Sequence, residues 1–142
     1  MSTVIIASDT ASVRKDVAST IDSPELEIIE ASSGPEVIEL ATTEPVDLVI
    51  ADLQMGSMGA IAVCLELRLQ ASYGAIDPVP FLMLLDRRAD VFQARRSGAE
   101  GWLVKPLDAI RVRRALRALL EGRGYDDPSF QPVPVLVADT PS

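Results

Sequence analysis

The feature that most constrains the fold is a repeated alternation between short continuous apolar runs and longer segments of helical periodicity. These runs lie at residues 4–7, 26–29, 47–51, 81–85 and 102–104, and Glu27 and Asp47 are the polar residues within them. Continuous runs of this length are typical of strands buried on both faces, and intervening helices cover those faces. Because the β-α unit repeats five times, the sequence predicts an α/β fold: a five-stranded parallel sheet, doubly wound as (βα)5.

Local signals predict where several helices begin and end. Ser33 and Asp108 are expected N-caps for the second and last helices, because their side chains can accept backbone hydrogen bonds. Gly98 is expected to end the helix of residues 89–97, because glycine readily adopts the left-handed conformation of a C-cap. Asp9 stands between the first strand and the first helix, so it is one candidate cap there.

Composition bounds the kind of protein. The 142 residues suit one domain, and 48% apolar with 24% charged residues is an ordinary globular composition. Histidine is absent and Cys64 is the single cysteine, which excludes histidine catalysis and an internal disulfide framework. We expect no membrane span, because no apolar run reaches ~18–20 residues. Without a recognisable signal peptide, a cytoplasmic location is expected.

Two regions differ in composition. Residues 1–122 are expected to form the domain, and residues 123–142 a flexible, proline-containing C-terminal tail. Within the tail, residues 133–137 are apolar and favour β structure. They are expected to be disordered or to pack on their own domain; the alternative is addition to a sheet edge of another chain.

Charge is unevenly distributed along the chain. The net charge of −8 argues against direct nucleic-acid binding. Residues 1–82 carry 13 acids and 3 bases, whereas residues 86–123 carry 5 acids and 10 bases. The basic stretch is interpreted either as a solvated pair of helices or as a docking face for an acidic protein partner.

Polar residues follow the predicted strands at one edge of the sheet. Asp9, Asp52 and Lys105 end separate strands, and converging carboxylates favour a cation between them. Oxygen ligands point to Mg²⁺, held by Asp9, Asp52 and the backbone carbonyl of Gln54. A carboxylate beside Mg²⁺ and an ammonium group can accept a phosphoryl group, which predicts Asp52 as nucleophile and Lys105 as its charge partner. Each residue alone has an ordinary alternative: a cap, a turn or a surface lysine.

Two stretches resemble the receiver domain of two-component response regulators. Residues 46–55 resemble the segment around the family's phosphoacceptor, and residues 98–107 resemble its lysine-proline motif. The resemblance covers about residues 2–121 and implies a CheY-like, flavodoxin-like fold. It implies Asp52 as phosphoacceptor, Lys105 as phosphoryl partner, Asp9 as a metal ligand and a cis bond before Pro106. It also places Trp102 at the switch aromatic, with plain packing as the alternative.

The chain departs from that family at informative positions. Ser8 stands where a second acid is usual, so it is a further candidate ligand that brings no charge. Leu85 stands where a hydroxyl residue usually bonds the phosphoryl group, and Gly56 stands where proline is usual. We therefore expect weak Mg²⁺ binding and an altered switch, since a lost hydrogen bond to a charged group costs ~1–3 kcal/mol.

These residues support one main hypothesis and two alternatives. The main one is an atypical single-domain response regulator that accepts phosphoryl on Asp52 from a histidine kinase or phosphotransfer protein. It would signal by protein contact, through an effector at the face of residues 86–117 or through a homodimer. Its only enzymatic activity would be self-catalysed phosphoryl transfer and autodephosphorylation. The alternatives are a pseudo-receiver that binds partners independently of phosphorylation, and a flavodoxin-like cofactor binder, which lacks a phosphate-loop glycine.

Overall fold

A computed structural model describes residues 1–128. The strands are β1 (Ser2–Ala7), β2 (Leu26–Ala31), β3 (Leu48–Asp52), β4 (Phe81–Leu85), β5 (Gly101–Val104) and β6 (Tyr125–Asp126). The helices are α1 (Ala11–Ile21), α2 (Gly34–Thr43), α3 (Ala60–Ser72), α4 (Val91–Ser97) and α5 (Ala109–Leu120), and a 3₁₀ turn covers Arg88–Asp90. Strand and helix alternate from β1 to α5, as the sequence predicts.

All the strands pair in parallel in one sheet, in the order β2-β1-β3-β4-β5-β6. The predicted doubly wound α/β fold is therefore confirmed. From β1 the chain first adds β2 on one side and then adds β3, β4 and β5 on the other, so the winding of the sheet reverses between β1 and β3. In open α/β sheets the crevice outside the carboxyl ends of the strands at such a reversal is the usual site position.

The core lies on both faces of the sheet. On one face, Ile5 and Val49 pack with buried residues of α2, α3 and α4. On the other, Ile6 and Ile50 pack with buried residues of α1 and α5. Every residue of β3 and β4 is buried. This two-sided burial explains why the strands read as continuous apolar runs and not as alternating ones.

The predicted helix ends are confirmed. The Ser33 hydroxyl accepts a hydrogen bond from the Glu36 backbone N–H (3.3 Å), and an Asp108 carboxylate oxygen accepts one from the Arg111 N–H (2.9 Å). Gly98 ends α4 with a φ of 83°, in the left-handed region that favours glycine. The two N-caps fix where the chain enters α2 and α5, and Gly98 turns the chain from α4 toward β5.

A sixth strand extends the sheet beyond the five that periodicity predicts. Tyr125–Asp126 pairs with β5, and the Tyr125 N–H donates to the Glu100 carbonyl at 2.9 Å. These residues belong to the segment that the sequence assigns to a tail, because a two-residue strand gives no periodic signal. The remaining part of that segment, including the apolar residues 133–137, lies outside the described residues. Among residues 1–128, no helix combines the length and apolarity needed to cross a bilayer.

Candidate functional site

Asp52 is the last residue of β3, at the carboxyl edge of the sheet. Its carboxylate is buried and accepts two side-chain hydrogen bonds, from Lys105 Nζ to Oδ1 (2.6 Å) and from Ser8 Oγ to Oδ2 (2.8 Å). The two donors follow β5 and β1. The parallel sheet therefore brings together three residues that are far apart in sequence.

Lys105 follows β5 and is joined to Pro106 by a cis peptide bond, as the family resemblance implies. Its ammonium group also pairs with Asp86, which follows β4, at 3.0 Å. Partial burial disfavours the charge of Lys105, but the hydrogen bonds to Asp52 and Asp86 outweigh it and raise its pKa above 10.5. The lysine therefore remains a cation at neutral pH.

Ser8 directly follows β1 and is fully buried. Its hydroxyl donates to Asp52 and accepts from the Thr10 backbone N–H at 3.0 Å. Arg14 Nη1 donates to the Ser8 carbonyl at 2.7 Å, which anchors the backbone at this position. A neutral hydroxyl thus holds one oxygen of Asp52 where a second acid would repel it.

Asp9 points toward the loop that follows Asp52. Its Oδ2 accepts a hydrogen bond from the Gly56 backbone N–H at 3.2 Å. The N-cap position of α1 is occupied by Thr10, whose side chain makes no capping bond. Asp9 therefore does not cap the helix, the ordinary alternative for this residue, and its carboxylate lies beside the loop that carries Gln54.

The donor set at this edge consists of oxygen atoms. Among residues 1–128, no three or more acidic or cysteine side chains gather as a metal-binding group. Mg²⁺ nevertheless needs only one or two protein carboxylates when phosphate oxygens and water complete its shell. The carboxylates of Asp9 and Asp52, the Gln54 carbonyl and the Ser8 hydroxyl fit that requirement chemically.

The two positions that the resemblance associates with switching are both buried. Leu85 ends β4 with no exposed surface, and Trp102 in β5 is 3% exposed in the same core cluster. Arg95 stacks over the indole, 5.8 Å from the ring centroid. The Trp102 Nε1 has no hydrogen-bond acceptor within the described part of the chain. The side chain of Leu85 has no hydroxyl, so it cannot donate a hydrogen bond to an anion.

Sequence reasoning did not assign three residues that the structure brings to this region. Asp86 lies directly after β4, and that place at a strand end is the signal that could have paired it with Lys105. Arg111 and Asp127 form an ion pair next to the backbone of Val104. Their contact depends on β6, for which the sequence carries no signal.

Comparison with known proteins identifies the family. Residues 4–126 match the model of the response regulator receiver domain, so the chain belongs to that family. Receiver domains of two-component systems are phosphorylated on an aspartate as their general function, and they bind Mg²⁺ at the acidic phosphorylation site. They interact with histidine kinases or phosphotransfer proteins.

Individual relatives are consistent with this membership. The chain is 36% identical over 104 residues to the transcriptional regulatory protein PdtaR of Mycobacterium tuberculosis, covering 72% of this chain and 49% of the relative. It is 30% identical over 117 residues to the probable transcriptional regulator ycf27 of Guillardia theta, covering 82% and 44%. It thus spans less than half the length of these relatives. The chemotaxis protein CheY4 of Vibrio cholerae superposes with a TM-score of 0.73 at 27% identity, covering 84% of this chain and 98% of that one.

The raised pKa of Lys105 predicts a pH-dependent stability difference. A raised folded-state pKa stabilises the fold below the unfolded pKa of about 10.4, and that contribution is lost as pH rises through the folded value. We expect Lys105→Gln to lower the free energy of unfolding in urea at about pH 8, and by progressively less as the pH is raised above the unfolded pKa of lysine. Lys15→Gln, at a largely exposed lysine, is the control. An equal loss across this pH range for Lys105→Gln would contradict the assignment.

Proposed function

We propose that Asp52 is the phosphoacceptor of an atypical response regulator and that Lys105 neutralises charge on the phosphoryl group. The observation that supports this most is the contact between Lys105 Nζ and a buried Asp52 carboxylate at the carboxyl edge of the sheet. A nucleophilic oxygen and a cation lie side by side there, at the carboxyl ends of the strands, where open α/β sheets usually place their sites.

The chemistry is a phosphoryl transfer to an Asp52 oxygen. A new O–P bond forms while the P–N bond of a phosphohistidine, or the P–O bond of a small acyl phosphate, breaks. The donor's leaving group keeps the electron pair. Hydrolysis is a separate second step: water attacks phosphorus, the O–P bond to Asp52 breaks with its electron pair returning to the carboxylate, and inorganic phosphate leaves. Lys105 stabilises charge on the transferring oxygens in both directions, so the activity is at most self-catalysed transfer and autodephosphorylation.

A magnesium ion fits the same edge. Asp9, Asp52 and the Gln54 carbonyl would hold it, with the Ser8 hydroxyl as a further ligand. When bound, Mg²⁺ supplies positive charge that neutralises the transferring phosphoryl oxygens. Ser8 contributes no charge, so the affinity for Mg²⁺ is expected to be low for a site of this kind.

Output is proposed to bypass residue 85. Leu85 cannot donate a hydrogen bond to a phosphoryl group, and Trp102 is packed in the core beneath Arg95. Lys105 directly follows β5, the strand that contains Trp102, so a shift of Lys105 on phosphorylation is the proposed route from the site to β5. Trp102 is then expected to respond through β5 and not through a hydroxyl at residue 85.

The partners are a histidine kinase or phosphotransfer protein as donor, and a protein effector as output. The face of residues 86–117 is the proposed effector surface. It exposes Phe92, which is 73% exposed, and the exposed Arg95 and Arg96 follow three and four residues later on the same helix, α4. An exposed apolar residue beside two cations suits an acidic protein partner, and a second copy of the chain is the other candidate.

The phosphoacceptor assignment predicts a loss of phosphorylation in Asp52→Asn. The amide retains the shape of the side chain but is not a nucleophile for phosphorus. With acetyl phosphate and Mg²⁺, we expect phosphoryl incorporation, followed by intact-protein mass, to fall to background. Asp77→Asn, which removes an exposed acid elsewhere, should behave as the wild type. Equal incorporation in Asp52→Asn and the wild type would refute the assignment.

The role of Ser8 predicts tighter metal binding in Ser8→Asp. One added charged ligand contributes ~1.5–3 kcal/mol, which corresponds to about tenfold or more in Mg²⁺ affinity. Isothermal titration calorimetry measures the Mg²⁺ affinity of each variant. Ser8→Ala removes the hydroxyl without adding charge, so its affinity should not rise. An unchanged affinity in Ser8→Asp would place the metal away from β1.

A further inference from the structure

The side chain of Arg111 spans the loop that carries Lys105. From the first turn of α5, its guanidinium donates to the carbonyls of Pro106 and Val104, the latter at 3.3 Å. Its Nε donates to the Asp108 carboxylate at 2.6 Å. The arginine is only 13% exposed. One planar, multi-donor group thus holds the backbone on both sides of Lys105.

Asp127 supplies the counter-charge. The residue is fully buried, and its Oδ2 accepts from the Val104 N–H at 3.0 Å and from Arg111 Nη1. The pairing of Tyr125 with Gly101 brings the carboxylate to this point. Gly101 is suited to that approach, because a Cβ there would lie 2.8 Å from the Tyr125 carbonyl oxygen. The short strand β6 and the Asp127 carboxylate together pair with the backbone at the outer edge of β5.

The loop is therefore fixed from two sides. On the inner side, the Lys105 N–H donates to the Leu85 carbonyl at 2.8 Å. On the outer side, Arg111 and Asp127 hold the preceding residue, Val104. Lys105 must reach across β4 to contact Asp52 at 2.6 Å, so a small displacement of its backbone changes the position of its ammonium group.

We propose that Arg111 and Asp127 are positioning residues for Lys105, which makes residues 125–127 part of the support of the phosphorylation site. The inference rests on the proposed function of Asp52 and Lys105. Neither residue has to touch the reacting atoms, since both act through the backbone of the Lys105 loop. Removing the Asp127 charge leaves Asp108 as a carboxylate partner of Arg111, but it weakens the contact that holds the guanidinium and the Val104 N–H together, so the loop relaxes. Displacing residues 125–127 from β5 would slow phosphoryl transfer for the same reason.

The test compares Asp127→Asn with a charge-matched neighbour. With acetyl phosphate and Mg²⁺, we expect Asp127→Asn to lower the phosphorylation rate about tenfold, since a full 1 Å misplacement of a catalytic group can cost about 100-fold and this change acts indirectly. Asp126→Asn removes the same charge from an exposed position of β6 and should stay near the wild-type rate. Arg111→Lys keeps the positive charge but loses the planar guanidinium that donates to two backbone carbonyls, so it should also slow phosphoryl transfer. This variant provides the test if Asp127→Asn does not fold.

A double-mutant cycle separates positioning from general stability. In a Lys105→Gln background, Asp127→Asn should cause no further loss of rate, although it should still lower the melting temperature. The same rate loss with and without Lys105, or a wild-type rate in both Asp127→Asn and Arg111→Lys, would overturn the inference. Failure of the proposed function looks different, because phosphoryl incorporation would then persist in Asp52→Asn.

Discussion

The ion pair between Asp52 and Lys105 is the interaction on which the site depends. A carboxylate buried at the end of a central strand is stable only when cations and donors satisfy it. The cation that pairs with Asp52 is Lys105, which follows β5. Because β4 lies between β3 and β5, the Lys105 side chain has to extend past β4 to reach Asp52. The sheet order and the anchoring of the β5 edge both set the length of that reach.

Two neutral residues shape what this ion pair can do. Ser8 replaces repulsion with a hydrogen bond, so Asp52 is held in place before any metal ion arrives. The same hydroxyl brings no charge to the proposed ligand set, so we expect a weak attraction for Mg²⁺. Leu85 offers no side-chain hydrogen-bond donor at the end of β4. We infer that chemistry at Asp52 and communication from it depend on different residues: Asp9, Asp52 and Lys105 are present for the first, whereas the second lacks a hydroxyl at residue 85.

The sequence predicts most of the fold because the strands are buried on both faces and so read as continuous apolar runs. In a parallel sheet, Asp9, Asp52 and Lys105 lie at the same edge because each follows or ends a strand. The sequence alone therefore predicts these three site residues. The partners of Lys105 and Val104 were harder to predict. Asp86 is one of several acids at strand ends, and Asp127 reaches the site only through a two-residue strand. Such contacts follow from tertiary packing and leave no period in the sequence.

The most direct test of the account is the location of the phosphoryl group in the wild-type chain. An aspartyl phosphate is an acyl phosphate, so borohydride reduces it to homoserine, which peptide mapping by mass spectrometry assigns to one position. After incubation with acetyl phosphate and Mg²⁺, the account predicts homoserine at position 52. Homoserine at position 9 or 86, or none after phosphoryl incorporation has been detected, would contradict it.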